Sequence, residues 1–71
     1  MDGDWSNTDY IKAYKYFEKA AYHGHQQAQY FFGLAYEKGI GVEKNISKAY
    51  EWYKKSADQG NEYAQYSLYA L

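Results

Sequence analysis

Seventy-one residues and 8.4 kDa confine the chain to one domain, and a chain this short removes only about 60% of its unfolded surface on folding. Eight lysines interspersed with nine acidic residues give a net charge of −1, with no basic stripe for phosphates, so nucleic acid is disfavoured as a partner. Absence of cysteine excludes disulfides, leaving a core built from eleven tyrosines, three phenylalanines and two tryptophans, each able to bury about 150–250 Å². No stretch approaches the ~20 apolar residues of a membrane span, and Met1-Asp2-Gly3-Asp4-Trp5 lacks the cationic and apolar runs of an export signal. No membrane insertion is expected. The compartment stays open, with the cytoplasm favoured.

Glycine supplies the punctuation, and it divides the chain into four helical stretches. Asp9 reads as the N-cap of a first helix over about Tyr10–Tyr22, and Gly24 as its left-handed stop. A second helix follows from about Gln26 to Lys38, ended by the turn Gly39-Ile40-Gly41-Val42. Asn45 caps a third over about Ile46–Asp58, which stops at Gly60, and Asn61 caps a fourth from about Glu62 to the terminus. Ala13, Phe17, Ala20 and Ala21 recur at intervals of three and four, as do Ala49, Trp52, Tyr53 and Ala57. That spacing belongs to helices, not strands.

The sequence also repeats with a period of thirty-six residues. Lys12, Ala13, Tyr14, Lys19, Ala21, Gly24, Ala28, Gln29 and Tyr30 fall onto Lys48, Ala49, Tyr50, Lys55, Ala57, Gly60, Ala64, Gln65 and Tyr66. A fixed period of this size marks units too small to close a core alone, which must stack on their neighbours. Short connections make consecutive helices antiparallel. The expected fold is all-α, with antiparallel helix hairpins stacked as an α–α superhelix.

The run Lys12-Ala13, Tyr16, Lys19-Ala20-Ala21, Gly24, Ala28-Gln29, Phe32-Gly33, Tyr36, Gly39, Gly41-Val42, Lys48-Ala49, Trp52, Lys55-Ser56-Ala57, Gly60 and Ala64-Gln65 resembles the Sel-1-like repeat, a longer relative of the tetratricopeptide repeat. The resemblance spans about Asp9 to Leu68. It implies a right-handed superhelix whose concave face is lined by the first helix of each unit. It also implies an adaptor or scaffold role, binding a protein or peptide. On this frame residues 1–25 are a partial unit, 26–60 a complete one and 61–71 a second partial one. Gly3 and Trp5 fall thirty-six positions before Gly39 and Gly41, and Tyr69 stands where a glycine is expected.

The second helix has two apolar faces. Ala28, Phe32, Ala35 and Tyr36 form the stripe expected to meet the following helix, while Gln27, Tyr30, Phe31, Leu34 and Lys38 lie on an adjoining face. By the resemblance this second face borders the concave groove, where a partner would lie with aromatics as anchors and Lys38 and the glutamines on the rim. Phe31 is the sharpest candidate, because its counterpart one period later is Ser67. For Tyr30 and Leu34 the alternative is plain packing against neighbouring helices. Gly33 reads as a close-packing position, and Trp52 and Tyr16 as core. A second reading is self-association through uncapped ends, giving a homo-oligomer or helix exchange. Tyr63, Tyr66, Leu68 and Leu71 are its expected residues, and Tyr63 and Tyr66 count as partner-binding candidates in either case.

Chemistry has little to build on. His23-Gly24-His25 would need Asp9 or Glu62 to complete a metal set, and Ser6, Ser47, Ser56 and Ser67 stand in no motif with a histidine and a carboxylate. Glu37, Glu43 and Glu51 read as solvated helix charges. Neither a cofactor nor an enzymatic activity is expected.

Overall fold

The computed structural model describes residues 7–71, so Gly3 and Trp5 lie outside the described residues. These form α1 (Asn7–Tyr22), α2 (Gln26–Lys38), α3 (Ile46–Asp58) and α4 (Glu62–Ala70), with no strand among them. α2 packs against both α1 and α3, and α3 packs against α4. α2 and α3 start and stop where the spacing predicts. α1 does not: it begins two residues before Asp9, which therefore lies in the first turn instead of capping it. A carboxylate there still favours the positive end of the helix dipole.

The two asparagine caps form as expected. Asn45 Oδ1 accepts the Lys48 amide at 3.1 Å, and Asn61 Oδ1 accepts that of Ala64 at 2.9 Å. Each satisfies one of the amides a helix start leaves without an intrahelical acceptor, a contribution of about 1 kcal/mol. The turn after α2 needs left-handed backbone twice, at Gly39 (φ 73°) and Gly41 (φ 75°), which explains why glycine fills both places.

Ala21, Ala28, Phe32, Tyr36, Ala49, Trp52, Tyr53 and Ala64 form the buried core. Phe32 sits at its centre, with ring centroids 5.2 Å from Tyr14, 5.1 Å from Tyr36 and 4.8 Å from Trp52. Gly33 lets α3 come close. A Cβ there would stand 2.8 Å from Tyr53 Cδ1 and 3.1 Å from the Ala49 carbonyl oxygen. Two expectations fail in this layer. Glu37 is not a free surface charge, since its Oε1 accepts a 2.6 Å hydrogen bond from the fully buried Tyr53. Tyr16, read as core, is 68% exposed. It is the counterpart of Trp52, but among the described residues no helix precedes α1 to cover it.

Side-chain amides lock the helix ends together. Gln59 Nε2 donates to the Gly24 carbonyl (3.0 Å) and to Gln29 Oε1 (2.8 Å), and Gln29 Nε2 donates to the Ala21 carbonyl (3.2 Å). Ser56 Oγ donates to the Gln26 carbonyl at 2.7 Å. Among the described residues no buried side-chain polar atom lacks a partner. The chain therefore buries amides without the cost of leaving them unpaired.

Two phenols are tuned by this packing. Burial, then the hydrogen bond to Glu37 and its charge, push the Tyr53 hydroxyl well above its ordinary range. Burial and the 3.1 Å bond to Tyr36 do the same for Tyr14. Above about pH 10 tyrosines of the unfolded chain lose protons that folded Tyr14 and Tyr53 keep, so the folded state binds more protons and stability falls as pH rises. A series of thermal melts from about pH 9 to about pH 11 should show the melting temperature dropping. The drop should be shallower in Tyr53→Phe, and an equal slope in the two proteins would contradict the assignment.

Candidate partner-binding groove

α2 contributes to two surfaces at once, because its helical stripe is wider than the core needs. Phe32 and Tyr36 point into the core, while Tyr30 and Phe31 turn toward the side where α4 crosses. A hollow of about 500 Å³ opens there, walled by Gln26, Gln27, Tyr30, Phe31, Asn61 and Tyr63. The Tyr30 ring links the wall to the core, at 5.7 Å from Tyr53, 5.3 Å from Phe31 and 6.1 Å from Tyr63. Tyr63 is 72% exposed and forms the outer lip. Phe31 is half-buried, its ring 5.2 Å from that of Phe17.

A second hollow, of about 550 Å³, adjoins the first and shares Gln26, Gln27 and Phe31 with it; Tyr16, Phe17, Ala20, His25 and Ala28 complete its walls. Phe31 thus forms a ridge between two apolar depressions on one face. Such a surface suits a ligand that presents side chains at intervals.

Of the residues expected on the groove, Gln27, Tyr30, Phe31 and Tyr63 come together around the first hollow. Leu34 is half-buried and packs against the core, Lys38 is exposed at the last turn of α2, and Tyr66 is exposed on α4; none of these three lines either hollow. Gln26 and Asn61 were not foreseen as wall residues. The thirty-six-residue offset carries the signal for Asn61, because its counterpart His25 lines the adjoining hollow.

The opposite face is different in kind. A cleft of about 360 Å³ between α1 and α3 includes Tyr22, Gln29, Tyr36, Lys48, Glu51, Trp52 and Lys55. Its ammonium groups are already engaged, Lys48 lying 5.6 Å from the Tyr36 ring centre and Lys55 5.7 Å from that of Trp52. Among the described residues no group of three or more His, Cys, Asp or Glu is placed to hold a metal, and no helix is long and apolar enough to cross a membrane.

A family model described as the Sel1 repeat matches residues 1–25 and 26–61. This chain belongs to the Sel1 repeat family. A crystal structure of a Sel1 repeat protein from Oxalobacter formigenes superposes with a TM-score of 0.86 at 46% identity, over 89% of this chain and 47% of that one. The chain is also 48% identical over 40 residues to DAP3-binding cell death enhancer 1 of Rattus norvegicus, covering 56% of this chain and 8% of the rat protein. It therefore spans less than half the length of either relative. Sel1 repeats generally mediate protein–protein interaction, and proteins built of them are typically non-enzymatic scaffolds. The second matched stretch, residues 26–61, holds α2 and α3, and the first hollow is walled by residues from α2, the start of α4 and the residue before it.

Proposed function

We propose that this chain is a binding module of a scaffold or adaptor, without catalytic activity of its own, and that it holds a peptide or helix of a partner protein along the α2–α4 face. The supporting observation is the hollow walled by Tyr30, Phe31 and Tyr63 and rimmed by Gln26, Gln27 and Asn61. Aromatic walls offer large apolar contact area at low entropic cost, and a neutral amide rim fixes orientation without a strong charge preference. A ligand side chain entering the hollow would meet rings already ordered by Tyr53 and Phe17, so little freedom is lost on binding. Lys38, one end of α2 away, and Tyr66 on α4 would extend the contact at the margins. The rat relative is named for binding another protein, which agrees with this role.

Peptides selected from a random library on the parent chain provide the test. Phe31→Ser is expected to weaken the selected peptides about tenfold to thirtyfold, as loss of a central anchor does. It should leave the helical circular dichroism nearly unchanged and cost about 1 kcal/mol of stability through the lost Phe17 pairing. Glu51→Gln, on the opposite face, should leave affinity as it was. Peptides whose binding ignores both Phe31→Ser and Tyr63→Ser would remove the groove from consideration.

A further inference from the structure

The two asparagine caps differ in a way that capping does not explain. Asn45 and Asn61 each turn Oδ1 to the amide three residues on, at 3.1 Å and 2.9 Å. Asn45 is exposed, as a cap can be, whereas Asn61 is only 9% exposed and stands in the wall of the hollow between α2 and α4. The cap bond fixes how the Asn61 amide is turned, because only its oxygen can accept. Its Nδ2 is left over, and among the described residues nothing accepts from it. No buried side-chain nitrogen goes unpaired among those residues, so Nδ2 reaches open space, and the space that Asn61 borders is the hollow.

Gln26 supplies the converse. Its Nε2 donates to the Gln59 carbonyl at 3.3 Å, which leaves Oε1 as an acceptor on the same hollow. No charged side chain lines this space, so one neutral donor and one neutral acceptor stand beside the Tyr30, Phe31 and Tyr63 rings. A carboxylate or ammonium group would find no counter-charge there. A peptide main chain does match. In an extended segment the C=O and N–H of one residue point the same way, so one residue can meet both amides. The interior of a helix cannot, since its C=O and N–H groups already bond each other. The positive end of the α4 dipole also favours a ligand oxygen beside Asn61. We infer that the groove takes an extended, uncharged segment of a partner protein, with Asn61 Nδ2 donating to one of its main-chain carbonyls. This inference rests on the groove reading and narrows its occupant from peptide or helix to the extended form.

Peptides selected on the parent chain, remade with each amide in turn replaced by an ester, test it. An ester carbonyl is the weaker acceptor, so one position should cost about threefold to tenfold in affinity, as loss of a hydrogen bond does. Asn61→Ser and Asn61→Asp both keep a cap oxygen, so the urea midpoint should stay close to that of the parent, while neither keeps the Nδ2 donor. Affinity should fall about threefold to tenfold in Asn61→Ser and further in Asn61→Asp, whose carboxylate would face the ligand carbonyl. Against Asn61→Ser the sensitive ester should cost little more, because the bond it weakens is already gone. Peptides that need Phe31 but bind both Asn61 variants as tightly as the parent would overturn the inference and leave the groove standing. So would peptides that gain helical circular dichroism on binding and show no sensitive ester. Binding that ignores Phe31→Ser and Tyr63→Ser would remove the groove, and this inference with it.

Discussion

Tyr53→Ala is expected to remove more than half of the stability of this protein. The side chain is fully buried, its ring touches Tyr30, its hydroxyl bonds Glu37, and its Cδ1 lies over the glycine where α2 and α3 meet most closely. Truncating a buried aromatic costs about 3–5 kcal/mol, the lost transfer energy adding to that of the cavity left behind. A chain of this length has about 4–10 kcal/mol in total. At the middle of both ranges, about 4 of about 7 kcal/mol, the substitution removes more than half of the stability, and urea titration followed by circular dichroism should show the midpoint falling by more than half. Tyr53→Phe separates the ring from the hydroxyl. It keeps the packing, loses a hydrogen bond to a carboxylate, and should cost about 1.5–3 kcal/mol. A Tyr53→Ala protein that melts like the parent would mean that the α2–α3 contact is not the centre of the core.

The contrast between Tyr53 and Tyr16 shows how far the sequence can be read. Both lie on helical stripes, and both positions are aromatic in a motif repeated thirty-six residues apart. Spacing identifies the stripe but not which helix, if any, covers it. Tyr53 is enclosed by α2, while Tyr16, at the outer face of α1, is not. Helix starts behave in the same way. Asn45 and Asn61 follow glycine-containing turns that leave one place for a cap, so their role was legible; Asp9, the counterpart of Asn45, has Trp5 in the sequence where that turn has Gly41, and α1 reaches past it to Asn7. Glu37 was misread because its partner is a phenol sixteen residues away, a relation that helical periodicity does not carry. The groove lay between these cases. Tyr30 and Phe31 were visible as a second apolar face of α2, but the hollow also needs Asn61 and Tyr63 from α4, and only the stacking of units brings those across.

That stacking depends on Gly33, whose replacement should produce the other large loss. Two effects oppose each other in Gly33→Ala. Alanine favours a helix interior by about 1 kcal/mol, yet its Cβ would meet Tyr53 Cδ1 at 2.8 Å and the Ala49 carbonyl oxygen at 3.1 Å. The Tyr53 ring has no free space to swing into, and the carbonyl belongs to the backbone of α3, so relief requires the two helices to separate. Separation loosens the whole contact, including Phe32 against Trp52, and overpacking of this kind costs about 1–3 kcal/mol or more. Gly33→Ala should therefore lower the urea midpoint modestly, and Gly33→Leu should lower it about as far as Tyr53→Ala. Function follows the same displacement. Tyr30 is held by Tyr53 across that joint, so a Gly33→Ala protein that remains folded should bind groove peptides more weakly even though residue 33 lines neither hollow. A raised urea midpoint in Gly33→Ala would show that helix propensity outweighs the close approach, and that the spacing of α2 and α3 is softer than the packing implies.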